Sequence, residues 1–92
     1  ASAMAAEGLV LGLAVDLAPV RVNCVCPGLI ETELFDRYGD ARKEMLKAMT
    51  QRQLIQRSGT PAEAAEAYLT CMRNTFMTGQ VLKIEGGIAI AN

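Results

Sequence analysis

Apolar and polar positions change character four times along the chain. Residues 1–17 are apolar almost throughout, rich in Ala, Leu and Met, with Glu7 and Asp16 as the charged positions. That composition favours a helix, and Pro19 stands where it has just ended. A helix apolar nearly all round is expected to be buried nearly all round, with a sheet on one face and another surface on the opposite one. Ala1, Ala5, Gly8 and Gly12 recur at helical spacing, a stripe of small residues that would let another backbone come close. Residues 20–26 then read as a strand, with little that is polar, as in a parallel strand covered on both sides. Pro27-Gly28 is expected to stop its ladder and begin a loop.

Residues 31–58 turn charged and polar, with Phe35 and Tyr38 near the start and Met45, Leu46, Met49, Leu54 and Ile55 interspersed. Gly39-Asp40 predicts a turn between two short helices. Asp40 would cap the second, over residues 41–53, which would bury Met45, Leu46 and Met49. The next helix start carries several signals: Thr60 as N-cap, Pro61 at the first helical position and Glu63 as the reciprocal member of a capping box. That helix is expected to run through Arg73 and to bury Ala64, Ala65, Tyr68, Leu69 and Met72, with Asn74 as a left-handed terminator. Thr78-Gly-Gln leads into a second strand over residues 81–84, closed by Gly86-Gly87. Strand, helices, strand is a βαβ crossover with parallel strands. The fold class is therefore α/β, and two strands with unpaired outer edges make an incomplete sheet.

The 92 residues, 51% of them hydrophobic, allow one domain at most. A chain of this size hides roughly 60–68% of its unfolded surface, so its core is modest. Nine Lys and Arg against ten Asp and Glu give a net charge of -1, and the basic residues are scattered. Neither nucleic acid nor an anionic membrane is expected as a partner. No apolar run approaches the roughly 18 residues of a membrane span and no signal peptide is visible, so a soluble cytoplasmic protein is expected. The three cysteines are an odd number for a disulfide framework. Cys24 and Cys26 share one strand face, where free Cys packs as a small apolar residue. A Cys-x-Cys redox or metal pair is the alternative, but with no His a zinc site would have to recruit carboxylates or another chain. No metal site is assigned.

The run Asn23-Cys-Val-Cys-Pro-Gly-Leu-Ile-Glu-Thr32 resembles the Asn-x-x-x-Pro-Gly-x-Ile/Val-x-Thr segment of the short-chain dehydrogenase/reductases. Ala5-Ala-Glu-Gly-Leu9 with Ala14-Val-Asp-Leu-Ala-Pro19 before it, and Thr78-Gly-Gln-Val-Leu-Lys-Ile-Glu-Gly-Gly87 after it, match the same family in order and spacing. The resemblance implies the carboxyl-terminal portion of a Rossmann-like doubly wound parallel sheet, with residues 1–92 as the carboxyl-terminal part of a single domain. It implies NAD or NADP as cofactor, a small-molecule alcohol or carbonyl substrate, and a homo-oligomer whose interface includes the first helix. Pro27, Gly28, Ile30 and Thr32 are the implied cofactor-binding residues: backbone groups at Ile30 would bond the carboxamide, and Thr32 would add a hydroxyl. Gly28, with no Cβ, would let backbone approach a flat ring, and Pro27 would fix φ.

The same resemblance assigns Asn23 a structural role, tying neighbouring backbone through its amide. It places Leu34 and Phe35 on the substrate side and likens residues 31–58 to a substrate lid. The family's Tyr-x-x-x-Lys does not carry over. Its Lys position falls on Ala3 and its Tyr two places before Ala1, and the glycine-rich dinucleotide turn has no counterpart among the eight glycines. No catalytic residue is assigned. Two functions follow as expectations: part of an NAD(P)-dependent oxidoreductase that moves hydride, or a non-enzymatic relative acting through subunit association.

Overall fold

A computed structural model describes residues 3–31 and 39–91. In chain order it contains α1 (Ala3–Asp16), β1 (Cys24–Pro27), α2 (Gly39–Thr50), α3 (Pro61–Arg73) and β2 (Val81–Ile84). The two strands pair as one sheet. The Cys24 N–H donates to the Gln80 carbonyl at 2.9 Å, and the Gly28 N–H donates to the Ile84 carbonyl at 2.8 Å. Both registers advance together, so the strands are parallel, as expected. Pro27 is the last residue of β1 rather than its stop. Alternate residues face the partner strand, so the N–H that Pro lacks falls between two ladder donors, and the ladder closes one residue later.

The chain divides into two compact units, Ala1–Cys26 with Ala65–Lys83 and Pro27–Ala64 with Ile84–Asn92. In the first, Val10 and Ala67 are the buried apolar side chains among the described residues. The strand expected from Val20 begins at Cys24, because the three residues before it bond to a loop instead of a ladder. The Val22 N–H donates to Thr78 Oγ1 at 3.1 Å, and Val22 accepts from the Gly79 N–H at 2.8 Å. Asn23 Nδ2 donates to the Met77 carbonyl at 2.8 Å while its Oδ1 accepts from the Gln80 N–H at 3.1 Å. The backbone-tying role expected of Asn23 is what its amide does.

Arg21 closes the carboxyl end of α3. Its Nη1 donates to the carbonyls of Cys71 at 2.7 Å, Asn74 at 3.0 Å and Met77 at 3.2 Å, and its Nη2 donates to Met72 at 3.3 Å. The Cys71 and Met72 carbonyls are ones a helix end leaves without intrahelical partners, and a cation there also meets the negative end of the helix dipole. Asn74 was expected to end the helix in the left-handed region, yet no described residue other than glycine has a positive φ. With Arg21 bonding those carbonyls, the turn does not need the left-handed cap.

Burial departs from expectation in this unit. Leu9, Leu11 and Val15 of α1 are 64%, 58% and 77% exposed, and a Cβ at Gly8 or Gly12 would touch nothing. Tyr68, Leu69 and Met72 of α3, expected inside, are exposed, as is Ala65, while Ala64, which belongs to the second unit, is half-buried. One two-stranded sheet has too little surface to cover helices that are apolar on more than one side.

In the second unit, α2 opens at Gly39 and places Asp40 in its first turn instead of at the cap. It ends at Thr50 and buries no residue: Met45 and Met49 are exposed and Leu46 is half-buried. The earlier of the two short helices expected between residues 31 and 58 lies outside the described residues, as do Phe35 and Tyr38. Beyond α2 the chain turns on Gln53, whose side chain is buried and whose Nε2 donates to the carbonyls of Ile55 and Arg57, each at 2.9 Å. The Ile55 N–H donates to the Gly86 carbonyl at 3.0 Å. Gly86 and Gly87 have φ of 65° and 81°, the left-handed turn that closes β2.

The capping box at the start of α3 forms as expected. The Glu63 N–H donates to Thr60 Oγ1 at 3.1 Å and Glu63 Oε1 accepts from the Thr60 N–H at 2.9 Å. Arg57 adds a fork, Nη1 and Nη2 each 2.8 Å from a Glu63 oxygen. The fork first and the Thr60 N–H second hold the Glu63 carboxyl well down, at about 2. A lowered carboxylate favours the folded state above its ordinary value of 4.5, and that contribution disappears as pH falls toward about 2. Circular dichroism during denaturant unfolding is expected to show a midpoint that drops across this window, with the drop absent in Glu63→Gln. Thr60→Ala is expected to cost about 0.5–2 kcal/mol at neutral pH, as N-cap losses do.

Candidate functional site

The loop after β1 is held by backbone bonds on one side. Gly28 bonds back to Ile84, as above. Two residues on, Ile30 forms an isolated parallel bridge with Gly59. Gly59 makes both bonds of that bridge: its N–H donates to the Leu29 carbonyl at 2.9 Å, and its carbonyl accepts from the Glu31 N–H at 2.7 Å. In a parallel bridge the partner bonds to the residues on either side, so the N–H and C=O of Ile30 point away from Gly59. Among the described residues nothing in the chain bonds to either group. A donor and an acceptor on one rigid residue match a planar primary carboxamide, which offers an acceptor oxygen and a donor nitrogen.

Three of the residues expected at the site, Pro27, Gly28 and Ile30, lie among the described residues. Pro27 ends β1 and is exposed, Gly28 is exposed beside it, and Ile30 is half-buried with its side chain over Gly59. Thr32 lies outside the described residues, as do Leu34 and Phe35. Gly28 has a different reason to be glycine from the one the sequence suggests. A Cβ there would stand 2.8 Å from Glu85 Cα, so the close approach is made by this chain's own backbone. Sequence reading missed Gly59, which holds the loop from the side, and Gln53, which holds the turn over residues 55–57. Gly59 looks like spacer between Ser58 and the Thr60 cap, and a buried Gln in a polar stretch carries no periodic signal.

Beyond Glu31 opens a cleft of about 560 Å³ lined by Lys43, Leu46, Lys47 and Thr50 of α2 with Arg57, Ser58 and Thr60. Its volume is that of an ordinary small-molecule site. A second cavity, between Leu29, Gln53, Ile55 and Gly86, holds only about 100 Å³. Elsewhere, Lys83 Nζ pairs with Glu7 Oε1 at 3.4 Å, and no group of three or more Cys, His, Asp or Glu among the described residues could hold a metal ion. No helix among the described residues is long and apolar enough to cross a membrane.

A family model described as enoyl-(acyl carrier protein) reductase matches residues 1–89. The short-chain dehydrogenase/reductase malC of Malbranchea aurantiaca is 40% identical over 85 residues, which are 91% of this chain and 32% of that protein. The solved structure of the MalC reductase/Diels-Alderase from the same organism gives a TM-score of 0.84 at 40% identity over 95% of this chain and 34% of that one. A crystal structure of a small-chain dehydrogenase in complex with NADPH gives 0.81 at 33% identity, covering 96% of this chain and 41% of that one. The chain spans about a third of the length of the curated relatives it matches. Its α/β architecture is a portion of their Rossmann-like parallel sheet.

Proposed function

The chain belongs to the short-chain dehydrogenase/reductase family, and from that premise we propose that it forms the nicotinamide end of an NAD(P)-dependent oxidoreductase. The reaction is hydride transfer between C4 of the nicotinamide and the carbon of a small-molecule alcohol or carbonyl. The observation that carries this reading is Ile30, held by the Gly59 bridge with its N–H and C=O turned outward. The N–H donates to the carboxamide oxygen and the C=O accepts from its nitrogen, which fixes the ring's rotation and so the face from which hydride leaves. Thr32 adds its hydroxyl to the carboxamide or pyrophosphate, and Pro27 and Gly28 set the turn. Residues 1–92 serve as the carboxyl-terminal part of that domain, and the substrate lies in the cleft beyond Glu31. The exposed apolar side chains of α1 suit a contact with a second copy of the chain.

Two features bear on whether the hydride step proceeds. Ala3 opens α1 where the family's Lys is expected, and the cofactor's adenosine half finds no glycine-rich turn on these residues. The test is to incubate the protein that carries this chain with NADPH deuterated at C4 and a set of ketones. Deuterium at the new carbinol carbon is the expected result. Cofactor binding without any transfer would replace the enzyme reading by that of a non-catalytic relative, and the absence of binding would end the proposal of a nicotinamide site.

A further inference from the structure

Cys24 and Cys26, on β1, stand outside the proposed cofactor site and have no part in it. Being two apart on a strand they face the same way, and their sulfurs lie 3.9 Å from each other. Both are free and half-buried, as is Cys71 on α3. A direct bond between them is poorly favoured. Strand residues two apart have Cα atoms roughly 6.6 Å apart, at the far edge of what a disulfide spans. A bridging atom changes the geometry. A pyramidal three-coordinate centre with bonds to sulfur of roughly 2.3 Å and angles of about 100° sets its two sulfurs about 3.5 Å apart, a small side-chain rotation from the 3.9 Å found.

The described residues offer no third ligand to such a centre. A zinc site closed by four protein groups is therefore not what the pair suits. A soft centre that needs only two sulfurs from the protein is. We propose that Cys24 and Cys26 form a bidentate dithiol site for thiophilic, three-coordinate centres of the class of trivalent arsenicals. In the binding step two As–O bonds of the hydrated arsenical and two S–H bonds break. Two As–S bonds form, two waters leave, and no electrons are transferred. Partial burial and the adjoining Cys24 thiol hold the Cys26 thiol above its ordinary pKa, which keeps Cys26 in the thiol form that this condensation consumes. The site stands independently of the cofactor reading.

The probe is phenylarsine oxide, added in equimolar amount to the folded chain in the presence of excess monothiol. Intact mass is expected to rise by one phenylarsenic group less two hydrogens, and two of the three thiols are expected to disappear from a thiol titration. Cys71→Ser should keep the adduct, while Cys24→Ser and Cys26→Ser should each lose it. Addition of a small dithiol should strip it and restore both thiols. An adduct that survives in Cys24→Ser or Cys26→Ser, or one that forms only after the chain is unfolded in denaturant, overturns the proposal. So does the absence of any adduct in the folded wild-type chain, because its two thiols are then not accessible as a pair.

Discussion

Gly28→Ala is expected to destabilise the folded chain by about 1–3 kcal/mol, the range for forcing an extra methyl into a filled site. The new Cβ would sit 2.8 Å from Glu85 Cα and 2.9 Å from Glu85 Cβ. Neither side can yield cheaply. The Gly28 N–H is fixed to the Ile84 carbonyl at 2.8 Å, and Glu85 is followed by the left-handed Gly86-Gly87 turn. Gly59→Ala is the control. A Cβ there would come equally close, 2.8 Å, but to Ile30 Cδ1, the far end of a side chain that can rotate. Denaturant unfolding should show a clear loss of midpoint for Gly28→Ala and a smaller one for Gly59→Ala. Equal losses would mean that backbone crowding at Glu85 is not what requires glycine at position 28.

Arg21→Ala is expected to cost a similar amount, about 1.5–3 kcal/mol, since hydrogen bonds from a charged donor are worth this much and four carbonyls lose theirs together. Arg21→Lys keeps the charge and its interaction with the end of α3. It gives up the planar fork that reaches Cys71 and Met72 with separate nitrogens. It should therefore recover only part of the loss. Full recovery by Lys, read from urea midpoints, would mean that charge at the helix end is what matters and not the bonding pattern. Hydrogen exchange should localise the effect, with the amides of the last turn of α3 and of residues 77–80 exchanging faster in Arg21→Ala.

What could be read in the sequence was the part set by local chemistry. The Thr60, Pro61 and Glu63 signals act within one turn of chain, and α3 begins where they place it. β2 has the predicted bounds because Thr78-Gly-Gln on one side and Gly86-Gly87 on the other are strong boundaries in themselves. Order and type of the described elements were legible for the same reason. Burial was not. The apolar stripes of α1 and α3 say that those faces favour covering, but not what covers them, and Leu9, Val15 and Met72 stand exposed here.

Arg21 illustrates a second kind of miss. In sequence it is one more residue of a strand, and its role depends on carbonyls 50 to 56 positions away. The candidate site was half legible. Pro27, Gly28 and Ile30 could be named from the motif, whereas the bridge that turns the Ile30 backbone outward needs Gly59, which no local pattern brings to it.

The central claim is that the Ile30 backbone receives the nicotinamide carboxamide. It is tested most directly by following the amide resonances of nitrogen-15-labelled protein during titration with NADPH and, separately, with adenosine 2′,5′-bisphosphate, which carries no nicotinamide. The expected result is a large shift of the Ile30 amide with NADPH, with smaller shifts at Leu29 and Gly59, and none of these with the bisphosphate. An Ile30 amide that stays in place while NADPH binds, or that moves equally with both ligands, would contradict it.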